Sequence, residues 1–300
     1  MSSADMTKDN LRGGMLIAAS MAFFAAEDAL MKGLTGHIPT GQIILMVTLF
    51  SAVVMICVLA YNRVPLFTKD FFQPAVVARN LGETVGGVGF ITSLALLPLS
   101  MASALFQTLP LVMTCGAALF LGEKVGWRRW TAVGVGFIGV LVILRPTGDG
   151  FVPLAALGSA LAVIGLAARD LATRKITGNV NSLNLTLWGM MSYLISGVVL
   201  MVIFSQSWVS VPVWDLLLIA VTSLLGLFGY YVMIVGTRIG EVSSIMPYRY
   251  TRIVFALALG WLFFAEIPDT WMLVGVAMIV SAGLYTFLRE RTLSMTRRTR

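Results

Sequence analysis

Eight ionisable residues sit inside long apolar stretches of this chain: Glu27, Asp28, Arg79, Glu83, Arg169, Asp170, Arg249 and Arg252. An Arg, Lys or Asp at the centre of a bilayer costs about 2.5–3.5 kcal/mol on insertion scales, so each must earn its place through pairing or function. Four acids and four arginines can neutralise one another as buried ion pairs that only fix helix packing. Arg79 and Glu83 are spaced i, i+4 and can pair on a single helix. Arg249 and Arg252 lie three apart on one helical face with no acid nearby in sequence, which suits contact with a guest anion. Tyr248 and Tyr250 flank Arg249, and aromatic faces beside a guanidinium fit an amphipathic organic anion by stacking and bidentate carboxylate contact. Arg79, Glu83, Phe106, Gln107, Trp188 and Tyr231 fall at depths where a cavity lined by such groups would run.

The elements that must position these groups are membrane helices. Hydrophobic residues make up 58% of the 300 positions and charged ones 12%, against roughly 45–50% and about 25% in soluble domains. Ten apolar segments are expected to span the bilayer, at 12–34, 41–61, 72–97, 100–121, 127–144, 153–176, 184–204, 214–238, 242–265 and 271–289. Backbone groups in hydrocarbon must be satisfied internally, so the spans are helices and the class is an all-α membrane protein. The first segment has no cleavage-site pattern and reads as a retained span. The net charge of +7 does not imply nucleic-acid binding, because the basic residues sit at span ends and in the tail. With the N-terminus inside, fifteen lysines and arginines fall on the inner side and two, Lys32 and Arg145, on the outer. The positive-inside rule therefore places both termini in the cytoplasm, and the expected location is the inner (plasma) membrane of a bacterium.

The chain also reads as duplicated. Ala25-Ala26-Glu27-Asp28-Ala29-Leu30-Met31-Lys32 is echoed by Ala167-Ala168-Arg169-Asp170-Leu171-Ala172-Thr173-Arg174, and Leu119-Phe120-Leu121-Gly122-Glu123 by Leu262-Phe263-Phe264-Ala265-Glu266. In both copies an Asp precedes a basic residue by four, so Asp28 is expected to pair with Lys32 and Asp170 with Arg174. A unit with an odd number of spans inserts upside down relative to its copy. The expected architecture is ten transmembrane helices as two inverted five-helix repeats, over 1–146 and 147–300, with the basic tail in the second. Inverted repeats are the signature of alternating-access carriers. Glycines at positions 82, 86, 87 and 89, and at 134, 136 and 139, are expected to let helices approach closely.

The ten-span pattern, the Gly122-Glu123 joint with its Ala265-Glu266 counterpart, and Ser243-Ser244-Ile245-Met246-Pro247-Tyr248-Arg249-Tyr250 resemble the drug/metabolite transporter superfamily, EamA branch. The resemblance covers nearly the whole chain, with one departure: Ala265 stands where the first half has Gly122. It implies a metabolite carrier, with export slightly favoured and a cargo such as an amino acid or derivative. The buried arginines favour a carboxylate on that cargo. A vitamin-like importer of the same fold, for a flavin such as riboflavin, is the alternative, and a channel or membrane scaffold subunit is the alternative of another class. Glu27, Asp28 and Asp170 are the candidates for proton coupling. An enzyme would need a nucleophile or metal set, whereas the chain has one histidine, His37, and two cysteines, Cys57 and Cys115, in different spans. The sequence therefore implies no catalytic residues, no metal site and no cofactor. Its partners are the lipid bilayer and a small-molecule substrate, with the chain acting as a monomer or homodimer.

Overall fold

The computed structural model describes residues 3–120, 126–146, 151–173, 175–177, 180–239 and 246–298. The Gly122-Glu123-Lys124 joint, Arg174 and Ser243-Ser244-Ile245 lie outside the described residues. The described fold is all-α: α1 (Ser3–Leu34), α2 (Thr40–Tyr61), α3 (Pro74–Leu96), α4 (Leu99–Phe106), α5 (Leu109–Phe120), α6 (Trp127–Leu144), α7 (Pro153–Thr173), α8 (Ser182–Ile203), α9 (Val213–Ile239), α10 (Thr251–Phe264) and α11 (Thr270–Arg298). Short 3₁₀ turns occupy Lys69–Phe72 and Met246–Tyr250.

Every expected span has a helical counterpart. Among the described residues, six stretches are long and apolar enough to cross a bilayer: Leu11–Leu34, Thr40–Tyr61, Leu99–Phe120, Pro153–Thr173, Ser182–Ile203 and Val213–Met233. Trp130–Leu144 and Thr270–Tyr285 are shorter apolar helices. The chain is thus a multi-spanning integral membrane protein. Its outer surface agrees, since Leu49, Val53, Ile138, Leu141, Ile164 and Phe228 are exposed on helices that would face lipid rather than water.

Proline sets where two helices break. The fourth expected span divides at Gln107-Thr108 because Pro110, at the second position of α5, brings no amide to the hydrogen-bond ladder. The Thr108 hydroxyl instead donates to the Leu105 carbonyl at 2.7 Å. Pro247 lies in the 3₁₀ turn that precedes α10. A different irregularity ends α10: Ala265 has φ 52°, the left-handed region that favours glycine. The Glu266 amide still closes the helix onto the Gly260 carbonyl at 3.0 Å.

Helices pair in a reciprocal pattern. α3 packs on α7 and α1 on α9; α2 packs on α8 and α6 on α11; α10 leans on α1 while α4 and α5 lean on α7. Close approach rests on glycine at the crossings. A Cβ on Gly82 would lie 2.7 Å from the Gly165 carbonyl oxygen, and one on Gly165 would lie 2.4 Å from the Gly86 amide nitrogen. Gly139 and Gly275 clash reciprocally with each other's carbonyls in the same way, at 2.9 and 2.7 Å. Gly134 differs from the expectation: a Cβ there would meet nothing within 4 Å, because it points away from the α6–α11 contact.

Candidate functional site

The buried charges resolve into two saturated clusters and two remainders. On α1, successive residues turn to different faces, as a 100° helical step requires. Asp28 turns inward to Arg252 of α10, whose Nη2 and Nε donate to one carboxylate oxygen at 2.6 and 3.2 Å. The Arg252 guanidinium also lies 4.9 Å from the centroid of the Phe106 ring and 5.6 Å from those of Phe24 and Phe90. Phe90 and Phe106 meet edge to face at 5.3 Å. Carboxylate and three rings replace the water this guanidinium gives up.

The second cluster ties α3 to α7. Glu83 accepts from Arg169 at 2.9 Å and faces Arg79 one turn earlier at 3.6 Å. Arg169 also donates through Nε to Asp170 at 2.8 Å, and Arg79 donates to the Asn80 side-chain oxygen at 3.1 Å. The i, i+4 pair read from sequence exists, but the closer partner of Glu83 comes from the other half of the chain.

The expected Asp28–Lys32 pair is not formed. Arg252 occupies Asp28, and the long stem of Lys32 carries its ammonium to the carbonyls ending α3, donating to Leu94 at 3.2 Å and Leu97 at 2.5 Å. Asp170 likewise belongs to Arg169, and Arg174 lies outside the described residues. Across the same α3–α4 elbow, Glu266 accepts from the Leu99 and Ser100 amides at 2.6 and 3.0 Å and from the Ser100 hydroxyl at 2.6 Å. It serves as a helix cap supplied by a distant segment. A cavity of about 310 Å³ opens beside it, lined by Ser100, Arg145, Phe151, Glu266 and Asp269 among others. Asp269 caps the start of α11 by accepting from the Met272 amide at 2.8 Å and pairs with Arg145. That amide, followed by the Arg145 guanidinium, holds the Asp269 carboxyl below its usual range.

The two remainders are Arg249 and Glu27. No carboxylate pairs with Arg249 among the described residues. Its Nη2 approaches the Met233 sulfur at 3.6 Å, and its buried Nε has no partner. The turn that carries it is pinned on both sides. The Tyr248 ring fills the space beside Gly14 of α1, where a Cβ would lie 2.5 Å from Cε2, and the Tyr250 hydroxyl fills the space at Gly283 of α11. Gln107 donates to the Arg249 carbonyl at 3.2 Å. Glu27 lies against Gly226 of α9, where a Cβ would lie 2.4 Å from Oε1. It receives no hydrogen bond and joins no ion pair among the described residues. Tyr193 of α8 packs on α3, the helix that carries Glu83, where a Cβ on Gly87 would lie 2.9 Å from its Cε1.

The remaining candidates separate. Trp188 is fully buried and donates its indole N–H to the Leu66 carbonyl at 3.0 Å, edge-on to Phe71. Tyr231 is 64% exposed on α9 and faces outward. Tyr250 is turned towards α11, with its hydroxyl buried and unpartnered. Sequence reasoning missed Phe24, Tyr193, Met233 and the Lys32 and Glu266 caps. Phe24 had a signal, since it precedes Asp28 by one helical turn. Among the described residues no three His, Cys, Asp or Glu side chains converge as a metal site. Cys57 and Cys115 are both free.

A polytopic helical bundle whose charged interior holds, among the described residues, one cation and one carboxylate outside any ion pair is suited to carrying a small molecule. The profile of the EamA-like transporter family matches residues 11–145 and again residues 153–288. The chain belongs to that family, within the drug/metabolite transporter superfamily, and is a secondary transporter of small molecules. A riboflavin transporter of Rhizobium johnstonii is 31% identical over 209 residues, covering 69% of this chain and 67% of its own. An S-adenosylmethionine uptake transporter of Rickettsia felis is 25% identical over 288 residues, 96% of each chain. The pseudopaline exporter CntI of Pseudomonas aeruginosa is 26% identical over 280 residues, covering 92% of this chain and 96% of its own. A solved crystal structure shares the fold with a TM-score of 0.58 at 18% identity, covering 96% of this chain and 99% of that one.

Proposed function

We propose that this protein carries a small amphipathic metabolite bearing a carboxylate, such as an amino acid or derivative, across the bacterial inner membrane by alternating access. The observation that carries the reading is Arg249: among the arginines in the interior cluster it has no acidic partner among the described residues. A largely buried cation with no acidic partner among the described residues is placed for a guest anion. In this reading the ten helical segments form two inverted five-helix repeats, over 1–146 and 147–300, with both termini cytoplasmic. The reciprocal pairing of α3 with α7 and α1 with α9 supports it, because exchange of the two halves turns one pair into the other. Asp28 and Asp170 are held by arginines, which leaves Glu27 as the carboxylate available for proton coupling.

Counterflow in proteoliposomes tests the proposal. Labelled S-adenosylmethionine, amino acids and organic acids should accumulate against an unlabelled internal pool for at least one compound carrying a carboxylate. Arg249→Gln at equal incorporation should lower that exchange by tenfold or more. Exchange by the variant at the wild-type rate would overturn the assignment. The second reading, a flavin importer, is favoured by the riboflavin transporter relative and by the three phenylalanine rings around Arg252. Riboflavin lacks a carboxylate, so riboflavin counterflow that survives Arg249→Gln would select this reading instead.

A further inference from the structure

The geometry points to Glu27 as the receptor for a substrate ammonium group, with Arg249 taking the carboxylate, so that the site selects compounds with an α-amino acid head. This inference rests on the anion reading of Arg249 and narrows it. Within the interior, Asp28 is used by Arg252, Glu83 by Arg169 and Arg79, and Asp170 by Arg169. Among the described residues, what stays open of these eight groups is one carboxylate and one guanidinium, opposite charges that do not touch each other. A neutral guest or a simple anion would leave Glu27 with no group to pair with, buried as the neutral acid, whereas an ammonium supplies the partner that keeps it ionised.

The positions they touch on α9 agree with that class. Glu27 lies against Gly226 of α9 and Arg249 against Met233 of the same helix. Gly226 and Met233 are seven residues apart, which at 1.5 Å rise sets these two positions of α9 about 10 Å apart along its axis, with two turns keeping them on one face. An ammonium in contact with a carboxylate spans about 3 Å, and so does a carboxylate in contact with a guanidinium. Amine and carboxylate on one carbon add about 3 Å more, for a reach close to the available span. Compounds with the two groups separated by a ring or a long chain exceed it. Gly226 matters here because a side chain at that position would occupy the space of the Glu27 carboxylate.

The test uses the purified full chain and matched probes on one scaffold: tryptophan, indole-3-propionate, which lacks the amine, and tryptamine, which lacks the carboxylate. Phenylalanine with its two counterparts and 4-(aminomethyl)benzoate extend the panel. Thermal stabilisation in detergent and counterflow in proteoliposomes are the readouts. The expected result is a response to the α-amino acids at least tenfold stronger than to either truncated partner or to the benzoate. Glu27→Gln and, independently, Gly226→Ala should erase the advantage of the amino acids over the amine-free acids while preserving the response to carboxylate. Carboxylates that act regardless of an amine, lost with Arg249→Gln but not with Glu27→Gln, would overturn this inference and leave the anion reading standing. A response to amines or neutral compounds alone, or no response to any carboxylate in the panel, would overturn both.

Discussion

Arg249 and Arg252 are three residues apart, share a helical face in the sequence, and have opposite surroundings. Arg252 is saturated by Asp28 and three phenylalanine rings. Arg249 meets the Met233 thioether and joins no ion pair among the described residues. The contrast teaches that a buried arginine is structural or available according to what the other helices bring, not according to its own segment. Arg252 holds α10 to α1, and its removal should be felt in folding. Arg249 is held in place by its neighbours on either side, and its removal should be felt in function.

The largest effect expected from this contrast is on the Asp28–Arg252 pair. Asp28→Leu alone should destabilise the protein by about 3–5 kcal/mol, since it leaves a buried cation uncompensated. The Asp28→Leu, Arg252→Leu double variant should recover most of that loss. Denaturation midpoints in detergent for the two single variants and the double would show it, and strictly additive losses would break the comparison. Next in size is the Arg249→Gln variant, which should keep its midpoint within a few degrees of wild type while exchange falls tenfold or more. A variant that fails to fold would place Arg249 with Arg252 as a structural residue.

A smaller effect sharpens the account of how Arg249 is held. Tyr250→Phe removes a buried hydroxyl that has no partner and should leave stability unchanged or raise it by up to about 1 kcal/mol. Gly283→Ala, which places a methyl group where that hydroxyl lies, should lower the same midpoint. The smallest effect belongs to Asp269, outside the membrane core. Its carboxyl is held below the usual range by the Met272 amide and Arg145, so its contribution is present above the unfolded pKa of about 3.9. That contribution is lost as pH falls through the lower folded value. The residue is half exposed, so screening limits the effect to a few tenths of a kcal/mol. Asp269→Asn should flatten the acid side of the stability profile by that amount.

The sequence made the helices and the charged interior legible because bilayer chemistry writes both in composition: long apolar runs, and ionisable residues that stand out against them. The pairing was less legible. Asp28 and Lys32 have the spacing of a helical ion pair, yet a guanidinium from 224 residues away wins Asp28 with two donors, and no local pattern encodes that. Arg79–Glu83 was readable because both partners share a helix, whereas the shorter Arg169–Glu83 contact was not. Glu266 was visible as a repeated acid, but its role as the cap of α4 depends on where α10 ends. Arg249 and Arg252 were indistinguishable in sequence for the same reason: the acid that separates them is on α1.

The two tyrosines around Arg249 have a mechanical consequence. Tyr248 is lodged in the Gly14 notch of α1 and Tyr250 in the Gly283 notch of α11, near opposite ends of the polypeptide. The turn between them works as a tether strung between two anchorages. Any sliding of α1 against α11 must pull on that tether, and the guanidinium travels with it. Displacement of the first helix of the chain against the last is thereby transmitted to the Arg249 guanidinium.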